Sequence, residues 1–441
     1  MRYRLFPCLV CTLLGAACRS APSPTASPVD AASRIHDDIA YLADDRLEGR
    51  GTGTAGNDSA AAWLARRHAA LGLRPLATDS SLAGCRVTPA PLACRTYLQR
   101  FVARGVELAH AGRPEGVPSQ NVIALIPGRD TALAGEIVVI GAHFDHLGRS
   151  TASAMDPEAG NVIRNGADDN ASGTAAVLEL ARRFAERPTR RSILVAHFTG
   201  EELGLLGSQW FVDHPPVTTD SIAAMVNFDM VGRLRGNRLI VYGTGTAREL
   251  PALLDEASAG TGLLLSRVPD GFGPSDQSPF YAKGIPVLHF FTDLHDDYHR
   301  ATDDIEKIDA AGEVRVVALA ERVVREIADR PSRLTPLRAQ APIQAVGSGQ
   351  GSNAYLGTVP DMGAPDASGL RLSGVRAGSP ADLAGLRGGD VIVVLDGVAI
   401  RDLYSYSAAL YAHRPGDVVK VGYLRDGKPY SATVTLGVRG R

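Results

Sequence analysis

Histidine and carboxylate side chains recur in this 441-residue chain at positions that could hold a metal ion and manage a proton. His143 and Asp145 stand in "GAHFDHLG", Asp168 and Asp169 in "NGADDNASG", and Glu201 and Glu202 in "FTGEELGLLGSQ". Asp229 follows in "NFDMVG" and His299 in "DYHRATD". Imidazole nitrogen with carboxylate oxygen is a donor set suited to zinc, and a carboxylate near such an ion can act as a base toward water. The second motif admits another chemistry. Asp168, Asn170, Ser172 and Gly173, with Glu179 beyond them, come close to the calcium-loop pattern D-x-[DN]-x-[DN]-G-x₅-E. A calcium loop of that type lies between two helices, but "DPEAGNVIRNGA" before Asp168 has no helical period, and Glu179 falls within a helix, turned away.

Strand-like runs must position these groups. "EIVVIGAH" (136–143), "RSILVAHF" (191–198), "AAMVNFDM" (223–230) and "IPVLHFFT" (285–292) are short and nearly continuous in apolarity, as central strands buried on both faces are. Helical patterns over 58–71, 172–186, 247–259 and 312–329 alternate with them, so residues 34 to about 331 read as an α/β domain. Each run is followed by one of the acidic or histidine motifs, and in open α/β sheets sites collect at the carboxyl ends of the strands. His197 and His289 lie inside runs and read as core residues, whereas His146 and His295 flank the motifs. "GRGTGTAG" has G-x-G-x-x-G spacing, but a helical pattern and no strand precedes it, so it reads as a surface loop and not a dinucleotide site.

The chain ends differently from how it begins. Arg2, Arg4 and the apolar run Leu5–Ala17 read as an export signal, since the run is shorter than the ~20 residues a membrane span needs. "LLGAACRS" resembles a lipobox, in which Cys18 would be lipidated and attach the chain to a membrane; an ordinary signal peptide cut nearby is the alternative. Such a protein would be periplasmic, anchored at the outer membrane, or secreted. In an oxidising compartment the remaining Cys85 and Cys94 are expected to pair, with two free thiols as the other reading. A linker (334–353) leads to a Gly-rich region of short strands, about 354–438, with one helical segment near 402–413; a second linker covers 19–33. A net charge of −2 gives no reason to expect nucleic acid as a partner.

Taken in order, His143-x-Asp145, "GADDNASG", "GEELGLLGS", "NFDM" and "DYHRATD" resemble the successive motifs of the zinc-dependent aminopeptidases with co-catalytic metals, over about residues 34–330. This family includes bacterial leucyl aminopeptidases, with glutamate carboxypeptidase II related. The resemblance implies a zinc exopeptidase fold, with a mixed central sheet flanked by helices, and two Zn²⁺ per chain. Asp169 would bridge both ions, His143 and Asp229 would complete one site, and Glu202 and His299 the other. Asp145 would hydrogen-bond the other ring nitrogen of His143, and Glu201 would be the general base. Tyr298 is an oxyanion donor or a packing residue. "PSDQSPF" has Gln277 where the family often has histidine, which places the substrate pocket near Asp276 in doubt. The implied activity is removal of N-terminal residues from peptides. The alternatives are a carboxypeptidase or glutaminyl cyclase on the same scaffold, or a non-catalytic binding protein as in the transferrin receptor branch. "YLGTVP" (355–360) and "GLRLSGVRAGSPADLAGLRGGDVIVVLDGVAI" resemble a small, mainly β PDZ domain, which would take peptide C-termini or only pack against its neighbour.

Overall fold

Valine, isoleucine and alanine dominate the runs that become the centre of the main sheet. In the computed structural model, which describes residues 28–78, 92–104, 108, 112–151, 153–269, 271, 275–337, 354–360, 369–375, 378–400, 405–406, 409–410 and 412–438, these runs are strands. In chain order the first eleven strands are β1 (Arg74–Pro75), β2 (Ala77–Thr78), β3 (Arg95–Thr96), β4 (Leu98–Ala103), β5 (Val117–Ile126) and β6 (Ile137–His143), then β7 (Ser192–Phe198), β8 (Ile222–Phe228), β9 (Arg238–Tyr242), β10 (Leu264–Val268) and β11 (Val287–Phe291). Every residue of β6, β7, β8 and β11 is buried.

The main sheet has the order β1-β5-β7-β6-β8-β11-β9-β10, with β4 paired to β5. The four central strands are mutually parallel, so their carboxyl ends share one edge. β5 joins antiparallel to β7 and β9 antiparallel to β11, which makes the sheet mixed. Successive residues of a strand face opposite sides. Val138 and Ile140 accordingly enter one apolar cluster with Leu178, Phe184 and Val323, while Ile137 and Val139 enter another with Phe211 and Phe280. The first is built by the helices Pro28–Leu42, Ala55–Ala70, Gly173–Glu186 and Ala310–Asp329. The short helices Leu206–Asp213 and Gln277–Ala282 supply the second. Burying each such side chain contributes ~1.5–3 kcal/mol.

Local chemistry sets the helix starts. Thr54 accepts from the Asn57 amide at 3.3 Å and Asp309 from the Gly312 amide at 2.8 Å, each satisfying an otherwise unpaired donor of the first turn. The helix after the "GADDNASG" turn has no such cap; it opens at Gly173, whose amide is taken by the Asn170 side chain at 2.8 Å.

Two sequence expectations change. The first helix starts at Pro28, inside the stretch read as a linker. The "GRGTGTAG" segment is no mere surface loop: Arg50 is fully buried, and Thr54 begins a helix behind it. The export segment and Cys85 lie outside the described residues; Cys94 is disulfide-bonded. No helix among the described residues is long and apolar enough to cross a membrane.

The C-terminal region is an antiparallel sheet in the order β13 (Thr358–Pro360), β14 (Leu370–Val375), β15 (Val391–Leu395), β17 (Val418–Arg425), β18 (Lys428–Thr435), with β16 (Val398–Ala399) on β15. A smaller ladder joins β12 (Ala354–Tyr355) to β19 (Gly437–Val438). It has its own core around Leu356, Leu372, Ile392, Leu395, Val421 and Val434. Of the helix expected near 402–413, residues 405–406 and 409–410 are helical, and 412–413 already form a turn and a bend.

Candidate metal centre

The parallel strands deliver the acidic and histidine residues to one edge of the sheet. His143 is the last residue of β6, Glu201 and Glu202 lie just after β7, and Asp229 follows β8. The segment after β11 runs to His299, whose φ of 54° places a non-glycine residue in the left-handed region. Asp169 sits in the turn between β6 and β7, where its peptide bond to Asn170 is cis.

The distances between these groups test whether they could share metal ions. Donor atoms around a tetrahedral zinc, with bonds of ~2.0–2.2 Å, lie ~3.3–3.6 Å apart. His143 Nε2 lies 3.5 Å from Asp169 Oδ1 and 3.5 Å from Asp229 Oδ1. His299 Nε2 lies 3.2 Å from Asp169 Oδ2 and 3.2 Å from Glu202 Oε2. The two oxygens of Asp169 thus face two separate donor sets. Glu201 Oε2 is farther, 3.9 Å from His143 Nε2. His146 Nδ1 lies 2.8 Å from Glu202 Oε1, a hydrogen-bond distance too short for two donors on one ion. His146 therefore fits a role in orienting Glu202, although His146, Asp169 and Glu202 converge within 4.8 Å, as do His143, Glu201 and Asp229.

Both histidines are prepared to offer Nε2. His143 Nδ1 faces the Asp145 carbonyl at 3.1 Å and His299 Nδ1 the Ser153 carbonyl at 2.9 Å. A carbonyl can only accept, so Nδ1 donates to it and Nε2 is the nitrogen left to face the carboxylates. The Asp145 carboxylate does not do what was expected of it. It stands 3.7 Å from His143 Nδ1 and instead accepts from the Thr52 hydroxyl at 2.8 Å and the Glu201 amide at 3.3 Å. The backbone carbonyl has taken its place, and the carboxylate ties the β6 and β7 loops together.

Charge in the site is unbalanced. Asp145, Asp169, Glu201, Glu202, Asp229 and Asp276 gather around His143, His146, His299 and the buried Arg50. Burial first, then the neighbouring Glu202, Asp229 and Asp276 carboxylates, raise Glu201 well above the ordinary range, with His143 opposing. Burial would lower His143, yet Glu201, Asp229 and Asp169 raise it well above its usual value. Glu202 is held well below the carboxylate range, against its burial, by His299 and His146. Desolvation pushes Asp276 up to about 7. A concentration of buried anions of this kind favours bound cations.

The residues that resembled a calcium loop are otherwise engaged. Asp168 Oδ1 accepts from the Gly232 amide at 2.7 Å and Asn170 Oδ1 from the Met230 amide at 3.2 Å, while the Ser172 hydroxyl accepts from Val231 at 3.0 Å. These side chains fasten the loop after β8, which carries Asp229, to the turn that carries Asp169. Glu179 lies in the following helix and pairs with Arg34, Arg182 and Arg183. At Gly166, φ is +60°, and an added Cβ would come within 2.4 Å of the His146 ring, so the turn needs glycine there.

Arg50, Ser275, Asn227 and Asp303 contribute although the sequence reading gave them no role. The Arg50 guanidinium donates to the carbonyls of Phe144 at 2.7 Å, Asn165 at 2.7 Å, Gly166 at 3.0 Å and Leu42, joining the loops of His143 and Asp169. Asp303 accepts from the Asp168 and Asp169 amides, the latter at 3.0 Å. Ser275 donates to Asp229 Oδ2 at 2.7 Å and accepts from Asn227 at 2.8 Å, and Asn227 lies 3.1 Å from His289. His289 is buried as expected but belongs to this network, whereas His197 packs in the core against His68. His295 contacts Asp168 Oδ2 at 3.1 Å. The Tyr298 ring stacks on His299 at 3.8 Å and joins an apolar cluster with Met230, Tyr242 and Phe291.

Comparison with known proteins finds aminopeptidases among those similar to this chain. Leucine aminopeptidase 1 of Arthroderma gypseum is 33% identical over 156 residues, covering 32% of this chain and 39% of that protein. The chain thus spans less than half the length of the curated relatives it matches. Among solved structures, the zinc aminopeptidase BSAP of Bacillus subtilis superposes with a TM-score of 0.51 at 19% identity, over 69% of this chain and 98% of that one. The glutaminyl cyclase of Porphyromonas gingivalis gives 0.52 at 19% identity, over 67% and 98%. Both likenesses establish the fold. Residues 121–324 match peptidase family M28 and residues 354–436 match the PDZ domain, so the chain combines an M28 peptidase domain with a C-terminal PDZ domain.

Proposed function

We propose that this protein is a di-zinc aminopeptidase that removes N-terminal residues from peptides. The observation that carries the reading is Asp169, whose two carboxylate oxygens face a His143–Asp229 set and a His299–Glu202 set at spacings suited to one tetrahedral ion each. Zinc ions held there would act as Lewis acids toward the scissile carbonyl and the attacking water. Glu201 is the proton carrier: it stands beside the His143 set without matching its donor spacing, takes a proton from the attacking water and passes it to the leaving amine. Asp145 holds the Glu201 backbone and so fixes where that carboxylate begins.

The basic start and short apolar run ending near Cys18 support export, as a lipid-anchored or secreted protein. The PDZ domain would add affinity for peptides through their C-termini. The test is a substrate screen with metal analysis, using free and acetylated peptides, carboxy-terminal substrates and N-terminal glutaminyl peptides. Release of an N-terminal residue only when the amine is free supports the reading. Carboxy-terminal release or cyclisation of the glutaminyl peptide without hydrolysis would replace it.

A further inference from the structure

The two donor sets are supported in different ways. The tautomer of His143 is set by the carbonyl of Asp145, two residues along the same loop. That of His299 depends on a distant segment, residues 153–164. Ser153 supplies the carbonyl that accepts from His299 Nδ1 at 2.9 Å, Met155 donates its amide to the His299 carbonyl at 2.9 Å, and Asp156 Oδ2 accepts the Ala301 amide at 2.9 Å. The histidine is thus held at its ring, its own carbonyl and two residues beyond. A left-handed backbone at a non-glycine residue persists only where its surroundings over-determine it, and these contacts do so at the φ of 54° of His299.

The segment is itself held by Arg164, which is fully buried. Its Nε donates to Asp156 Oδ1 at 2.7 Å and Nη2 to the Asp156 carbonyl at 3.0 Å. Nη1 faces the carbonyls of Gly160 at 3.3 Å, Val162 at 3.4 Å and Ser150 at 3.4 Å. The Arg164 amide donates to the Gly148 carbonyl at 2.9 Å, which ties the far end of the segment to the loop after β6.

We propose that residues 153–164 form a strap whose Arg164–Asp156 pair positions His299 and thereby sets the zinc affinity of the His299–Glu202 set alone. The inference rests on the reading of His299 as a zinc ligand, and it assigns Arg164 and Asp156 as positioning residues. Partners of this kind typically change metal affinity ~10–100-fold when removed.

The test is zinc competition against a chromogenic chelator on the full chain, fitted to two dissociation constants. His299→Ala identifies which constant belongs to the His299 set. Arg164→Met and Asp156→Asn should weaken that constant ~10–100-fold and leave the other unchanged, with Arg164→Lys restoring part of the loss. In Asp156→Asn, an amide in place of Oδ2 would meet the Ala301 amide donor to donor, so this variant decides the matter if Arg164→Met does not fold. Unchanged constants in Asp156→Asn, or equal weakening of both, overturn the strap while leaving the ligand reading intact. Two unchanged constants in His299→Ala overturn the ligand reading, and the strap with it.

Discussion

Replacing Glu201 by glutamine separates proton transfer from metal binding. The amide has nearly the shape of the carboxylate but cannot accept the proton of the attacking water. Asp169 Oδ1 and Asp229 Oδ1 remain 3.5 Å from His143 Nε2, so the donors of that set are untouched. The Glu201 amide that holds Asp145 is backbone and also survives. The expected loss is therefore in kcat, by ~10²–10⁴, or ~3–5 kcal/mol of barrier, while zinc content stays at the wild-type value. Glu202→Gln is the contrast. It removes the charge and replaces one of two oxygens by an amide nitrogen, either Oε2 3.2 Å from His299 Nε2 or Oε1 2.8 Å from His146 Nδ1, so it should weaken one zinc constant before it alters kcat at saturating metal. The assay is steady-state hydrolysis of an aminoacyl anilide alongside zinc analysis of the same preparations. If Glu201→Gln loses zinc while Glu202→Gln keeps it, the two roles are exchanged. If Glu201→Gln retains full kcat, this carboxylate is not the base.

Other consequences follow from groups farther away. Ser275→Ala removes the 2.7 Å hydrogen bond to Asp229 Oδ2 and should weaken zinc binding by the His143 set ~10-fold, measured by the same chelator competition. His68 and His197 are buried with their Nε2 atoms 3.2 Å apart, and burial lowers both, His68 to about 3. Their folded values lie below the unfolded ~6.5, so their contribution is complete above that pH and is lost as pH falls toward 3, by up to ~1.4 kcal/mol per pH unit for each. Asp38 and Asp303, both raised to about 6, act with the opposite sign, so the slope should be read as wild type minus His68→Gln in denaturant titrations between pH 6.5 and 4. A chain ending at residue 344 should hydrolyse small aminoacyl substrates at near the full kcat/KM and lose rate mainly on long peptides. Equal loss on both would make the PDZ domain part of the catalytic unit.

Much of this architecture was legible because its signals are local. Continuous apolarity over β6, β7, β8 and β11 reports burial on both faces, and the motifs at or after their carboxyl ends report the site. What escaped reading depends on contacts between distant segments. A buried arginine such as Arg50 runs against composition rules, and its partners are backbone carbonyls, which any residue could supply. The same holds for Ser153, whose carbonyl fixes His299 from 146 positions away. Asp168, Asn170 and Ser172 mimicked calcium ligands because oxygen-bearing side chains at that spacing also suit a turn that must hold a neighbouring loop. His289 read correctly as buried, but its link through Asn227 and Ser275 to Asp229 crosses three separate elements.

Zinc titration of the chelator-treated full chain, with hydrolysis of leucine p-nitroanilide followed at each addition, tests the central claim most directly. Two donor sets sharing Asp169 predict that activity rises with zinc and reaches its plateau at two ions per chain. A plateau at one ion, or two ions bound with no release of the N-terminal residue, would contradict it.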